Sequence, residues 1–335
     1  MSVTMRDVAD RAGVSVKTVS NVVNGFVHIR PETRGRVETA IAELGYRVNV
    51  AGRNLRRGRT GMIGLAIPEL RNPYFAELAD TFMRAAEARD LVLLIEHTGP
   101  AGEHELDALR SARRQLTDGL LFSPMTMDPA DLSPFDDLDY PLVMLGERVF
   151  GAPVDHVTMN NREAARAATL HLVERGCRHI AVLGAHEGER MGSAALRFEG
   201  YLAGLADAGQ LHDPRLVGEA GRWRRSTGAA AMARVLDSGA PVDGVFAMND
   251  ALALGALHEL HERGISVPHD VAVVGFDDIE EGRYSAPTLS SIAPGREQTA
   301  RVAVDLLIER IAGETRPPRL VVADFEVVPR GSTAR

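Results

Sequence analysis

The sequence predicts two structural classes in one chain: an all-α helix-turn-helix head, followed by an α/β core of two doubly wound parallel-sheet lobes. Three observations predict this. Residues 5–24, MRDVADRAGVSVKTVSNVVN, read as two short helices around a tight turn. From Met62 onward, strand-like apolar runs alternate with amphipathic helical runs in two successive series, the pattern of repeated β-α-β units. The charge divides as well. Residues 1–60 hold eleven Lys or Arg against five Asp or Glu, a surplus of six in a chain of formal net charge −8, so the remainder carries about −14. A basic head on an acidic body points to a polyanion partner for the head alone.

Within the head, Val8 and Ala12 stand four apart on one face of the first helix, and Val19 and Val23 do the same in the second, so each offers an apolar stripe. Gly13 sits where the chain reverses, and Ser15 is placed as the N-cap of the second helix. The outward face of that helix, Val16, Lys17, Thr18, Ser20 and Asn21, is small and polar, which suits a DNA major groove better than a core. Lys17 is the only lysine in the chain. A third helix opens at Pro31, buries Val37, Ala40, Ile41 and Leu44, and stops at Gly45.

Residues 49–58, NVAGRNLRRG, fit neither a core helix nor a tail. Arginines surround Leu55, and two readings stand. In one, a short helix docks with arginines on phosphates and the leucine as a wedge in a minor-groove base step; in the other, the stretch is a flexible charged hinge.

The core begins with a strand at Met62–Ile67 and a helix at Pro73–Ala88. A strand at Leu91–Glu96, a helix at Glu103–Thr117 and strands at Gly119–Ser123 and Pro141–Leu145 follow. The second series runs helix Asn160–Arg175, strand Ile180–Leu183, helices Leu196–Ala208 and Arg225–Leu236, strand Val245–Met248, helix Asn249–Arg263 and strand Val271–Phe276. Strand Leu289–Ala293, helix Arg296–Ala312 and strand Leu320–Phe325 remain to return the chain to the first lobe before it finishes on the second. The expected boundaries are 1–47 for the head, 48–60 for the hinge, and 61–335 for the core. Its first lobe spans about 61–160 and 291–321, its second about 161–290 and 322–335.

Such lobes bind ligands where strand C-termini face a crevice. Ser123, Asn249 and Asp277 follow expected strands, Arg197 lies near the start of a helix, and Trp223 lies in a loop. Polar groups beside a flat apolar surface describe a pocket for a small polyhydroxylated molecule, with tryptophan covering a sugar's C–H face. Bland readings stand beside these: Arg197 pairing with Glu199 or Glu187 on the surface, Trp223 as a loop anchor, and Asp277 as an N-cap.

Taken together, MRDVADRAGVSVKTVSNVVNG, AIAELGYRVN, the NPYF after the first core strand, FAMNDALALGAL, and VAVVGFDDIE followed by PTLSSI resemble the lactose-repressor (LacI) family of bacterial transcription regulators over essentially the whole length. The resemblance implies a periplasmic-binding-protein-like core, and a homodimer or larger homo-oligomer on pseudo-palindromic operator DNA. It also implies a small-molecule effector, most often a sugar, between the lobes; corepression by a nucleobase-like ligand stays open. DNA contacts map by resemblance onto Thr4, Ser15, Val16, Lys17, Thr18, Ser20, Asn21, Asn24, His28, Arg53, Leu55 and Arg56, and effector contacts onto Tyr74, Phe75, Ser123, Ser193, Arg197, Trp223, Asn249 and Asp277. One departure stands out: the position after Leu145, often acidic in the family, is Gly146, followed by Glu147 and Arg148.

Other classes find less support. His258 and His261 stand three apart, but Glu259 and Glu262 interleave as on a solvated helix face, and no second ligand cluster accompanies them, so no metal is expected. No phosphate loop, GxSxG elbow or Cys–His signature is present, so neither a cofactor nor catalysis is expected. A solute-binding protein of transport type shares the core pattern but requires export. No N-terminal apolar signal region and no apolar run approaching the ~20 residues of a membrane helix exist. The single cysteine, Cys177, excludes a disulfide framework. A cytoplasmic regulator, at the nucleoid when bound to its operator, is the expectation.

Overall fold

A computed structural model of the chain describes residues 3–23, 26, 28–46, 59–99, 101–110, 116–127, 132–135, 138–186, 188–189 and 191–335. It divides into two units, Met1–Thr60 and Gly61–Arg335. Of the DNA contacts expected from the sequence, Asn24, Arg53, Leu55 and Arg56 lie outside the described residues, as does most of the expected hinge.

In the first unit, helices α1 (Met5–Ala12), α2 (Val16–Val23) and α3 (Pro31–Leu44) share one small core. Thr4 and Asp7 cap α1 reciprocally: the Asp7 amide donates to Thr4 Oγ1 at 3.4 Å and the Thr4 amide to Asp7 Oδ2 at 2.8 Å. These bonds hold the Asp7 carboxyl below its ordinary range. Gly13 ends α1 in the left-handed region at φ 65°, and its amide closes the turn on Ala9 and Asp10 carbonyls. The buried stripe of α2 is Val19 with Val22, three apart, and Val23 only flanks it. The second helix is therefore rotated slightly from the four-apart reading, because α1 and α3 close on it from two sides.

The second unit holds two six-stranded sheets. The first is parallel throughout, in the order β11-β5-β4-β3-β1-β2, where β1 is Met62–Ile67, β2 Val92–His97, β3 Leu120–Phe122, β4 Leu142–Leu145, β5 Asp155–Met159 and β11 Leu320–Ala323. The second runs β12-β10-β9-β8-β6-β7, with β6 Ile180–Ala185, β7 Val217–Glu219, β8 Gly244–Ala247, β9 Ala272–Phe276, β10 Ser290–Ala293 and the antiparallel β12 Glu326–Val328. Helix α4 (Pro73–Glu87) covers the first sheet on one face and α5 (Glu105–Arg110) on the other. Helices α6 (Asn161–Glu174), α7 (Ser193–Asp207), α8 (Arg225–Asp237) and α9 (Asp250–Glu262) cover the second. In each sheet the strand order reverses, between β1 and β3 and between β6 and β8, which opens a crevice at the strand C-termini.

The chain passes between the lobes after β5, after β10 and after β11. Strand β10 stays in the second sheet, so the return to the first lobe lies beyond Ala293 rather than at 291. A short α10 (Glu280–Arg283) precedes it, and α11 (Arg296–Ile311) then packs Ala300, Ala303, Val304, Leu306 and Leu307 into the first core. Strand β11 reaches Ala323, so 322–323 belong to the first lobe, and only β12 and the residues after it finish the second. Near the chain's end Ser332 and Thr333 are wholly buried. Ser332 Oγ donates to the Val273 carbonyl at 2.6 Å, while Thr333 Oγ1 meets His171 Nε2 at 2.9 Å and Ser290 Oγ at 2.8 Å.

Strand β5 was not expected from sequence. Its Asp155, His156 and Thr158 are buried, so the run shows neither apolar continuity nor alternation. Partners far along the chain make it tolerable: Asp155 accepts from Arg310 Nε at 2.8 Å, the Arg319 amide at 2.8 Å and Arg319 Nε at 3.2 Å. Burial alone pushes the Asp155 carboxyl up, but the two guanidiniums outweigh it and hold it below its usual range. Helix α7 begins at Ser193, three residues before its expected start at Leu196.

Candidate functional site

On the head, the polar face read from sequence is the solvent face of α2. Val16 is 42 % exposed, Lys17 is exposed, and Thr18, Ser20 and Asn21 are half-buried at the edges of the face. Ser15 Oγ accepts the Thr18 amide at 3.1 Å and lies 2.9 Å from Thr18 Oγ1, so both hydroxyls serve the start of the helix. Thr4 spends its hydroxyl in the same way on Asp7, at 2.7 Å. His28 is exposed in the loop before α3, with its ring edge-on to Phe26 at 5.8 Å.

In the core, all of the residues expected at the effector site, Tyr74, Phe75, Ser123, Ser193, Arg197, Trp223, Asn249 and Asp277, line one cavity of about 530 Å³ in the crevice between the two sheets. Its size falls in the ~300–1,000 Å³ range of small-molecule sites. Ser123 follows β3, Asn249 follows β8 and Asp277 follows β9, each at a strand C-terminus; Tyr74 and Phe75 open α4, and Ser193 opens α7.

Arg197 organises one wall. It is 2 % exposed; Nε donates to Asn161 Oδ1 at 2.6 Å, Nη1 donates to the Met248 carbonyl, and Nη1 lies 3.9 Å from Asp277 Oδ1. Its guanidinium stacks 3.5 Å from the Phe276 ring centroid and 5.3 Å from that of Trp223. The surface pairing with Glu199 is not its role; Glu199 pairs with Arg162 instead. Asp277 does not cap a helix either, since Ile279 holds the N-cap position of α10. Asp277 sits at φ 112°, a conformation that costs a non-glycine residue about 1–3 kcal/mol and that surrounding structure must enforce. Burial pushes its carboxyl up to about 7, against the pull of Arg197 and Arg296. Burial likewise raises the Tyr74 hydroxyl and lowers the Arg197 guanidinium.

Trp223 is fixed through its indole, Nε1 donating to the Gly184 carbonyl at 2.9 Å. Gly184 holds φ 113°, and a Cβ there would lie 2.7 Å from Leu252 Cδ1 and 3.1 Å from Trp223 Nε1. Only glycine lets the ring approach this closely. Among the described residues, Ser123 Oγ and Asn249 Nδ2 make no hydrogen bond, whereas Asn249 Oδ1 caps α9 by accepting the Leu252 amide at 2.9 Å. Among the described residues that line the cavity, these two polar atoms are thus unengaged, beside the Trp223 ring and the buried Asp277 carboxylate.

The cavity also contains residues that the sequence reading did not place there. Glu147, 6 % exposed, accepts Ser193 Oγ at 2.7 Å from the second lobe and Thr158 Oγ1 at 3.3 Å from the first. Arg148 Nη1 reaches the Met191 carbonyl at 3.2 Å across the crevice, and Glu69 pairs with Arg224 at 3.0 Å. The departure at Gly146 thus shifts the acidic group by one residue and leaves it in the cavity; GER was the signal. His186, Glu189 and Arg222 complete the rim. Among the described residues there is no group of three metal-ligating side chains, and no helix is long and apolar enough to cross a membrane.

Residues 4–49 match the family model described as bacterial regulatory proteins, lacI family, and residues 169–333 match the periplasmic binding protein-like domain. A LacI-family protein from Sanguibacter keddieii DSM 10542 is 53 % identical, with a TM-score of 0.76 over 83 % of this chain and all of that one. A complex of the transcriptional regulator CelR with cellobiose is 32 % identical, with a TM-score of 0.73 over 98 % of this chain and 99 % of that one. The lac repressor dimer bound to operator and the anti-inducer ONPF is 26 % identical, with a TM-score of 0.83 over 99 % of each chain.

Proposed function

The chain belongs to the lacI family of bacterial regulatory proteins and is a transcriptional regulator, not an enzyme; from that premise we propose a repressor whose operator affinity is set by a sugar held between its core lobes. The observation that carries the effector half is the cavity itself. Side chains from both lobes converge there, the charged ones are largely paired within the protein, and Ser123, Asn249, Asp277 and Glu147 offer hydrogen bonds beside Trp223. That is chemistry for a neutral polyhydroxylated ligand rather than an ion. Cellobiose in the CelR complex supports the class of ligand.

On DNA, Val16, Lys17 and Asn21 read base edges in the major groove, and Thr18 and Ser20 make supporting contacts near phosphates. Thr4, Ser15, Asn24 and His28 flank them, while Arg53 and Arg56 hold phosphates and Leu55 opens a minor-groove step. The protein acts as a homodimer on a pseudo-palindromic site in the cytoplasm, at the nucleoid when bound, as the operator-bound dimer of the lac repressor supports. Effector binding shifts the two lobes between two arrangements and so changes the spacing of the hinge segments, a coupling typically of ~1–3 kcal/mol.

The decisive experiment is fluorescence anisotropy on genomic fragments, with and without sugars, sugar acids and purines. Sequence-specific binding that a sugar weakens is the expected result. No sequence-specific binding under any condition sinks the repressor reading, and a response to purines alone sinks the sugar.

A further inference from the structure

The chain contains one tryptophan, and the structure surrounds it with more than the cavity needs to hold a flat ring. Arg197 lies 5.3 Å from its ring centroid. His186, the first residue after β6, has its ring centroid 5.8 Å from that of Trp223, tilted by 43°. Each nitrogen of that imidazole faces an acceptor: Nδ1 meets the Glu189 carboxylate, and Nε2 lies 2.8 Å from the Gly221 carbonyl. A neutral imidazole has only one N–H, so one acceptor would go without; the doubly protonated ring serves both.

We propose that His186, as an imidazolium, is the positioning residue for Trp223, tying the loop after β6 to the 221–223 loop and so holding the indole against the cavity wall. The idea gives His186 its purpose within the effector site proposed above, but its test needs no effector. The bond to Glu189 raises the His186 pKa above its ordinary 6.5, against burial. As pH rises through that raised value, the ring loses a proton and one loop tie breaks. Of the charged groups around this corner, Glu189 faces the ring directly, Arg222 and Arg224 are the chain neighbours of Trp223, and Arg197 lies 5.3 Å from the indole centroid with Asp277 3.9 Å from Arg197. Arg148 reaches Met191 O from the opposite lobe. Glu187 and Arg190 lie outside the described residues. Among the described residues, Asp277 is a second titrating group in the same range, at about 7, and lies 3.9 Å from Arg197; burial raises the neighbouring Asp250 carboxyl as well, and it acts on Arg197 and Asp277.

The test is the emission of Trp223 in the full chain without ligand, with its accessibility to acrylamide, followed from pH 5.5 to 9. Imidazolium quenches indole, so emission rises with pH, with a midpoint above 6.5, and acrylamide quenching rises with it. His186→Gln abolishes that component, Glu189→Gln moves its midpoint down, and Asp277→Asn removes only the component owed to the carboxylate. If His186→Gln leaves amplitude and midpoint unchanged, the proposal is overturned. Should that variant fold poorly, an unmoved midpoint in Glu189→Gln overturns it equally. Absence of any sugar response would defeat the proposed effector and leave this titration standing.

Discussion

The outer face of α2 and the wall of the core cavity, the two surfaces we assign to DNA and to the effector, both present polar side chains and are built in opposite ways. On α2 the groups we assign to DNA are neighbours in sequence, set on one face by helical periodicity, with Val16 and Lys17 exposed and Thr18, Ser20 and Asn21 half-buried at its edges. In the cavity each group comes from a different strand end or helix start, and Arg197, Asp277, Asn249 and Glu147 are buried among one another. An exposed face can exchange one side chain at little cost to the fold. A buried wall cannot, because each group satisfies another. Specificity for DNA should therefore be separable from stability, and specificity for the effector should not.

Four measurements break or sharpen that contrast. The largest effect is expected from Arg197→Ala, which takes from the buried Asp277 one of its two cations and leaves Arg296. About 3–5 kcal/mol of stability should be lost in urea denaturation, along with effector binding. A loss within the range of a surface pair would show that the wall is not coupled. Next, Asp277 binds its proton more tightly in the folded state, at about 7 against about 3.9 unfolded, so the stability it contributes is complete below pH ~4 and declines as pH rises to 7. Asp277→Asn should flatten this descent, of which about 3 kcal/mol falls between melts taken at pH 5 and pH 8.

On the head, Lys17→Ala or Asn21→Ala should change which operator bases are preferred by about 1–3 kcal/mol while leaving the melting temperature nearly unmoved. An equal loss on every sequence would mark a phosphate contact instead. Smallest is Ser15→Ala, which removes the cap of α2 and should weaken the head by about 1 kcal/mol. Circular dichroism of the chain during thermal unfolding, beside binding to specific and random DNA, should show a loss common to both.

The same contrast explains what the sequence made legible. The polar face of α2 and the cap at Ser15 follow from local rules, and they could be read without knowing any distant contact. Ser123, Asn249 and Asp277 were reachable because ligands collect at the C-termini of parallel strands. Glu147 was not placed, since its value depends on Ser193, a residue of the other lobe. His186 carries no local pattern at all; its partners, Glu189 and Gly221, belong to two loops. Strand β5 escaped for a related reason, its polar residues being answered by Arg310 and Arg319 more than 150 positions later. Val22 displaced Val23 in the stripe of α2 because a helix between two neighbours buries a wider arc than a period of four suggests.

The three passages of the chain between the lobes bear on how the protein is made. The first sheet lacks β11 and the helix covering it until residue 323 has been synthesised, and the second lacks β12, Ser332 and Thr333 until later still. A ribosome releasing this chain from its N-terminus at ~5–20 residues per second exposes two unfinished apolar sheets until residues 320–333 have emerged. The core of the head, drawn among the described residues from α1, α2, α3 and the turns beside them, is free to form as soon as it emerges. Nascent chains stalled near residue 290 should therefore carry a folded head and depend on chaperones for everything after it.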